Sequence, residues 1–318
     1  MELHWGWLIV IYLFLGGLGA GSYLTSYAAE KGWLGHSPAL KRVGYIISGP
    51  IVAFGTLLLV FDLGQGLKKP WLLIGLLSNP RSVMTWGVYI LAAFIMISLV
   101  VAYFALIKKS AAPKILVTIG AVLALATCAY TGLLVAVVNA VPFWNTYLMP
   151  VLFVVSAFST GLSITMLMAH ILENGLEADE QKVTKTHLGL VGTEIVLLAA
   201  IMGLMASGAN GPVAAESASK AISGSLAISF WGVLVALGLV APLLVSVYGL
   251  KKLSPAKVGR ALQPDLVAAV SEGAAAVEGA HGLTKVLLLS DTMVVLGGFV
   301  LRYVVIFAAI PVWNGILN

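Results

Sequence analysis

Long apolar segments alternate with short polar connections along almost the whole of this 318-residue chain. Each segment is about 20 residues or longer, which is the length that an α-helix needs to cross the hydrocarbon core of a bilayer. The pattern predicts an all-α integral membrane protein with eight transmembrane helices. Their approximate positions are residues 7–29, 43–64, 82–107, 114–139, 147–172, 187–207, 222–250 and 284–310.

The basic residues predict which way the polypeptide crosses the membrane. Loops after the odd-numbered segments hold thirteen Lys and Arg residues, whereas the opposite loops hold four. Because short loops rich in Lys and Arg remain in the cytoplasm, both termini are predicted to be periplasmic. The first segment has no basic n-region and exceeds 20 residues, so we interpret it as a retained span and not as a cleaved signal peptide. The four basic residues on the other side are Lys68, Lys69, Arg81 and Lys220.

Composition agrees with this class. The protein is 60% hydrophobic and only 10% charged, and so few charges cannot cover a soluble globule of this size. Its net charge is +5, but the basic residues lie in short loops between spans, which argues against nucleic-acid binding. We therefore expect a multi-pass protein of a bacterial or archaeal cytoplasmic membrane, in contact with the lipid bilayer and with no nucleic acid.

No haem or metal is expected in this protein. The single cysteine, Cys128, lies in an apolar segment, so neither a disulfide framework nor a thiolate site for a metal or iron–sulfur cluster is available. A haem with two histidine ligands needs them at matching depth on facing helices, and only His170 with His187 could be considered as a pair. The sequence has no nucleotide-binding loop, nucleophile elbow or zinc motif.

Small residues recur at an offset of 140, in residues 16–21 and again in residues 156–161. Because small residues let helices approach closely, this repeat predicts two four-helix bundles, residues 1–145 and 146–318. The alternative is the ordinary enrichment of small residues in packed spans. The turn that joins the two halves carries aromatic residues typical of a membrane–water interface. Its boundary residues are Phe143, Trp144 and Asn145.

One group of polar and aromatic residues is predicted at a similar depth near the outer surface. Because odd and even segments run in opposite directions, positions early in one and late in the next come to the same height. Such residues would line a shallow pocket suited to an amphipathic ring with a greasy tail. The alternative is that the aromatic members form an interfacial belt and the aspartate is a solvated helix end. The members are Tyr12, Asp62, Trp86 and Tyr130.

A second group follows the later segments. His187 and Glu194 are seven residues apart, and Asp291 and Arg302 are eleven apart, so each pair shares one helix face. With Ser156, Thr160 and Ser163 of the fifth segment, they could form a hydrated proton path from the cytoplasm to the outer pocket. The alternative is that Glu194 pairs with Arg302 or Asp291 only to make its burial tolerable.

Several short motifs resemble the NrfD-like family of membrane subunits, which includes the membrane subunit of polysulfide reductase. The resemblance extends over essentially the whole sequence, and its motifs are specific together although each alone is weak. The motifs are YLFLGGLGAG from Tyr12, VFDLGQGLKKPW from Val60, NPRSVMTWG from Asn79, AYTGLL from Ala129, PFWN from Pro142, GTEIVLL from Gly192 and LRYVVI from Leu301.

The resemblance implies a subunit that binds menaquinone or ubiquinone near the periplasmic face and holds no other cofactor. It implies an iron–sulfur electron-transfer partner and, beyond it, a catalytic subunit of the molybdopterin or cytochrome type. Tyr130 would hydrogen-bond the quinone head, and Tyr12 falls at about the place of the family's variable polar residue in the first helix. Glu194 and Arg302 match positions associated with proton transfer.

These expectations combine into one hypothesis, a quinol dehydrogenase or quinone reductase subunit with no activity on its own. Tyr130 would orient the ring and relay a proton, and Asp62 would carry it outward. The partner would dock on Phe143, Trp144 and Asn145 and on the loop containing Lys68, Lys69 and Arg81. The alternatives are a secondary transporter, whose site would lie at the midplane among broken helices, and a passive membrane anchor without quinone chemistry.

Overall fold

The structure of the protein is a computed structural model, which describes residues 5–35, 37–62, 82–108, 112–172, 180–252 and 266–312. Within these ranges, only the backbone is described at residues 62, 108, 180, 252 and 266–285.

Eight helices are long and apolar enough to cross a membrane, as predicted. We call them the first to the eighth span, and we call the membrane face where the first span begins the outer face. No strand occurs within the described ranges. The spans are Trp7–Glu30, Pro38–Asp62, Val83–Tyr103 with a π-helical end Phe104–Lys108, Lys114–Ala136, Leu148–Leu172, Glu180–Ala206, a π-helix Ile228–Val240 continued by Ala241–Lys252, and the outward half of Leu266–Ala308.

The start of the seventh span differs from the prediction. A separate short helix, Pro212–Ile222, precedes it, and the span itself begins only at Ile228. Gly208 and Gly211 have φ angles of 76° and 94°, a left-handed conformation that glycine adopts without strain. Local signals mark these boundaries: Pro at the first helical position, and a Ser-Gly-Ser sequence after the helix. Hydrophobicity alone does not distinguish this short helix from the span that follows it.

Contacts between the spans form two closed rings. In the first ring, each of spans one to four contacts the next, and the fourth contacts the first. In the second ring, spans five to eight do the same, and the eighth contacts the fifth. We call these rings the first and the second bundle; the predicted division of the sequence at residue 145 stays a prediction.

The first span is the most enclosed element, because it packs against both bundles. Seventeen of its 24 residues are buried. A Cβ on Gly21 would overlap the carbonyl of Ala157, and a Cβ on Gly161 would overlap the backbone of Gly21. The two stretches of small residues that recur in the sequence therefore pack on each other, where the first and fifth spans cross.

The outer face of the second bundle is tied together by hydrogen bonds between elements. Lys220 of the short helix donates from its Nζ to the Phe307 carbonyl at 2.7 Å. This bond satisfies one of the carbonyls at the end of the eighth span that have no partner within the helix. The Val312 amide donates to the Ala140 carbonyl at 2.7 Å. The end of the eighth span is therefore fixed to the turn between the two bundles.

Candidate functional site

Two tyrosines from different spans lie at a similar depth inside the first bundle. Tyr12 is fully buried and Tyr130 is 5% exposed, and their phenol groups are close enough to interact electrostatically. Tyr12 lies five residues after Trp7, and Tyr130 lies six residues before Ala136. At 1.5 Å per residue both are about 8–9 Å from the outer ends of their helices. The structure thus brings together two of the four residues predicted for the outer pocket.

Gly87 of the third span forms the wall against which Tyr130 lies. A Cβ at position 87 would overlap Cζ, Oη and Cε2 of the Tyr130 ring. The backbone of the third span therefore approaches the phenol more closely than any other residue type would allow. Sequence reasoning did not single out this glycine, although a glycine inside an apolar helix is itself a sign of a close contact.

The Tyr12 hydroxyl has no hydrogen-bond partner among the described residues. Leaving a buried hydroxyl unpaired costs about 1–3 kcal/mol, and its side chain is 0% exposed. This oxygen lies within electrostatic range of the second phenol, and a molecule bound between the two phenols would give it a hydrogen-bond partner. The hydroxyl of Tyr23, on the same span but further inward, is satisfied because it donates to the Val117 carbonyl at 3.2 Å.

Of the other two predicted pocket residues, one has an exposed side chain and the other has a side chain outside the described part of the structure. Trp86 precedes Gly87, and its ring is 57% exposed and packs edge-on against Tyr89 of the same helix. Asp62 ends the second span, but its side chain lies outside the described part of the structure. The loop residues predicted for partner docking also lie outside it; they are Lys68, Lys69 and Arg81.

The predicted docking surface on the turn between the bundles needs correction. Phe143 and Trp144 are completely buried, and the Trp144 indole donates to the Val305 carbonyl of the eighth span at 2.7 Å. Both side chains are therefore unavailable to a partner, and Trp144 ties the turn to the eighth span. Aromatic residues beside a turn have the same sequence pattern whether they face the interface or the interior. The exposed residues of this connection are Val137, Asn139, Ala140, Asn145 and Tyr147.

In the second bundle, Arg302 is the centre of a first polar cluster. Its guanidinium is fully buried and donates from Nη1 to the Ser156 hydroxyl at 2.5 Å and to the Gly298 carbonyl at 2.8 Å. It also lies 5.2 Å from the ring centroid of Phe153, within the range of a cation–π interaction. Glu194 lies beside the same Ser156 hydroxyl, which can donate to it while accepting from the guanidinium.

This arrangement bears on the predicted pairing of Glu194 with Arg302. The two groups attract each other electrostatically, but no direct ion pair joins them within 4.0 Å in the described ranges. Ser156 links them, and we call the three residues the Arg302 cluster. The Nη2 atom of Arg302 would lie 3.2 Å from a Cβ on Gly17 of the first span. The cluster therefore borders the first bundle.

A second polar cluster lies about two turns further inward, with one residue from each span of the second bundle. The His187 ring bonds the Ser163 hydroxyl at 3.2 Å and the Ser246 hydroxyl at 3.3 Å. Its Nε2 is 4.0 Å from Oδ1 of Asp291, and Ser163 also lies beside that carboxylate. We call these four residues the His187 cluster. Sequence reasoning missed Ser246, because a single serine in the seventh segment has no distinguishing pattern.

The sequence as a whole is similar to that of known proteins. The sequence model of the family described as "Polysulphide reductase, NrfD" matches residues 1–258. The C subunit of polysulfide reductase from Wolinella succinogenes is 32% identical over 270 residues, which cover 76% of the present sequence and 83% of that protein. Protein NrfD of Escherichia coli is 30% identical over 277 residues, covering 77% and 84% respectively. The matched range of the family contains both tyrosines, His187 and Glu194, and it ends before Asp291 and Arg302.

Proposed function

Because this chain belongs to the polysulphide reductase, NrfD family, it is a membrane subunit of a respiratory oxidoreductase complex, and we propose that its first bundle binds a quinone at Tyr12 and Tyr130. Through that site it would exchange electrons between the quinone pool and an iron–sulfur partner at the outer face. A catalytic subunit of the molybdopterin or cytochrome type would lie beyond the partner.

The unpaired hydroxyl of Tyr12 is the observation that carries this proposal. It is completely buried, has no partner among the described residues, and lies beside a second phenol that is almost as enclosed. A quinone is an amphipathic ring with oxygens at its edge and an apolar tail, so it can both satisfy these hydroxyls and remain in the membrane. Either menaquinone or ubiquinone has these properties.

The two phenols are suited to the proton chemistry of a quinol. Oxidation of a quinol to a quinone releases two electrons and two protons. A neutral phenol can accept a hydrogen bond from a quinol hydroxyl and donate its own proton onward. Tyr130, positioned by its packing on Gly87, would hold the ring oxygen, and Tyr12 would hold the same edge from the first span. Asp62, at the outer end of the second span, would pass the proton to the outer surface.

The depth of the pair supports electron transfer to a partner at the outer face. Both phenols lie about 8–9 Å below that face, so a docked cluster would be separated from the ring by about two helical turns. The partner would contact the exposed part of the turn between the bundles, at Asn145 and Tyr147. The loop containing Lys68, Lys69 and Arg81 would extend this surface.

The proposal is tested by Tyr130→Phe in the assembled complex, with quinol-linked turnover as the measurement. Loss of a group that orients and relays a proton should lower turnover by about 100-fold or more, while the amount of assembled complex stays the same. Tyr23→Phe is the matched control, because it removes a buried phenol of the same bundle that already has a partner. Unchanged turnover in Tyr130→Phe would remove this residue from the mechanism. A purified complex that retains no quinone would favour a transporter or a passive anchor.

A further inference from the structure

The polar groups of the second bundle form two clusters and not one continuous column. Seven residues separate Ser156 from Ser163 and Glu194 from His187, which corresponds to about 10 Å along each helix. Between the clusters, the sixth and eighth spans present valines and Thr160 turns its hydroxyl away from the column, while the buried Ser159 lies beside Glu194 at the edge of the Arg302 cluster. We call this intervening level the apolar layer; its residues are Thr160, Val191, Val294 and Gly298.

The two valines occupy the faces that the polar residues use above and below them. Val191 follows His187 by four positions and precedes Glu194 by three, so it lies on the same helix face. Its side chain is 0% exposed. Val294 follows Asp291 by three positions and is 2% exposed. The sixth and eighth spans thus interrupt their polar faces at the same level.

Thr160 contributes its methyl group to this layer and withdraws its hydroxyl. Its Oγ1 donates to the Ser156 carbonyl at 2.8 Å within its own helix. A Cβ on Gly298 would overlap Cγ2 of Thr160, so this methyl lies directly on the backbone of the eighth span. The hydroxyl that Thr160 brings to this level is therefore already used, and the space beside it is filled.

A layer of this composition is a barrier to protons. Proton transfer needs water or titratable groups in hydrogen-bond contact, and a charge placed among apolar side chains loses its hydration without compensation. Even the shortest step along the fifth span, four residues or about 6 Å from Ser159 to Ser163, is too far for direct transfer between side chains, since hydrogen bonds join heavy atoms about 3 Å apart. Water would therefore have to enter the layer before a proton could cross it.

The His187 cluster has the composition of a site that can hold a proton. Its imidazole and carboxylate are both buried and 4.0 Å apart. The hydroxyls of Ser163 and Ser246 each form a hydrogen bond with one of the two ring nitrogens. One proton shared between His187 and Asp291 keeps the cluster electrically neutral, whichever group carries it. The cluster can therefore retain a proton in the interior at a lower electrostatic cost than either group alone.

We propose that the His187 cluster is an inner proton-holding site and that Val191, Val294, Thr160 and Gly298 form the barrier that separates it from the Arg302 cluster. The second bundle is then closed to protons at rest, and any transfer across it requires this layer to hydrate. This deepens the proton role predicted for the second bundle and rests on that role, but it does not depend on quinone binding by the first bundle.

The test measures passive proton entry into proteoliposomes that contain the assembled complex. A potassium diffusion potential drives the flux, an internal pH dye reports it, and no quinol is added. Wild type should be as tight as protein-free vesicles. Val191→Ser combined with Val294→Ser makes room for water at the barrier, and it should raise the proton flux by about tenfold or more. The matched control is Val196→Ser with Val295→Ser, on the same two spans but at positions that do not face the column.

A third variant shows whether the flux passes through the inner site. Adding Asp291→Asn to the two serine substitutions should return the flux to the wild-type level. The proposal is overturned if wild type already conducts protons, if the double serine variant stays tight, or if its flux is unaffected by Asp291→Asn. Should the double variant fail to assemble, the isosteric Val191→Thr replaces it with the same expected direction. Quinol-linked turnover is recorded separately, so a failure of quinone binding is distinguishable from a failure of the barrier.

Discussion

The two bundles differ in how their buried titratable groups are connected. In the first bundle, the Tyr12 hydroxyl lies in the interior beside Tyr130 with no partner among the described residues. In the second bundle, a serine lies between each pair of charged or titratable groups. Ser156 joins Arg302 to Glu194, and Ser163 contacts both His187 and Asp291. The proposed function interprets the first arrangement as a site that a bound molecule completes and the second as a means of keeping charge inside the protein.

This difference indicates where ligand chemistry and where charge storage belong. An unpaired buried hydroxyl has a free-energy cost that a ligand can recover. A network of buried charges is costly to break, because each remaining group loses its compensation. Two Arg302 nitrogens, Nε and Nη2, lack partners within the described ranges, and they belong to the group closest to the first bundle. The boundary between the two kinds of site therefore runs along the first span, at Gly17.

The largest effect is expected from separating the bundles. Gly21→Leu places a side chain where even a Cβ would overlap the Ala157 carbonyl, so the first and fifth spans could not cross at their present distance. We expect the variant to leave almost no assembled complex in the membrane. Gly189→Leu is the control, because a Cβ there meets nothing within 4 Å. Assembly of both variants at similar levels would show that the crossing does not hold the bundles together.

The next effect concerns the stored charge of the second bundle. Arg302→Leu should destabilise the complex by about 3–5 kcal/mol, because it leaves Glu194 buried without its compensating charge. Adding Glu194→Gln should restore part of this loss. Chemical unfolding of the assembled complex measures both variants. A double variant no more stable than Arg302→Leu would contradict the electrostatic link through Ser156.

A smaller and purely functional effect is expected at the wall of the first bundle. Gly87→Ala should displace the Tyr130 ring, since the new Cβ would overlap it. A displacement of about 1 Å can lower the rate by about 100-fold, and Ala is itself favourable in a helix. Gly203→Ala, where a Cβ would meet nothing within 4 Å, is the control. Quinol-linked turnover equal in the two variants would show that Gly87 does not position Tyr130.

Much of the fold could be predicted because a membrane imposes a length on apolar segments. All eight spans follow from that rule. The short helix Pro212–Ile222 could not be found in the same way, because its alanines continue the apolar pattern of the seventh segment. Burial of Phe143 and Trp144 was also inaccessible. Their role depends on the eighth span, which is more than 150 residues away in the sequence.

The candidate site was predictable only where a residue type itself signals chemistry. Tyr12 and Tyr130 could be placed at one depth because adjacent spans run in opposite directions. Gly87 has no side chain from which a contact could be predicted, and its packing against the Tyr130 ring is visible only in the structure. Helical spacing placed His187 and Glu194 on one face, but spacing does not say that Val191 fills the interval between them. The predicted path therefore became two clusters.

The most direct measurement is the affinity of the assembled complex for a short-chain quinone analogue. Tyr12→Phe should weaken binding by about tenfold, since one hydrogen bond to the ring is lost. The empty variant should be no less stable than wild type, because the hydroxyl removed has no partner among the described residues. Glu194→Gln, in the other bundle, should bind the analogue as wild type does. The account would be contradicted if Tyr12→Phe bound the analogue with wild-type affinity, or if Glu194→Gln were the variant that lost it.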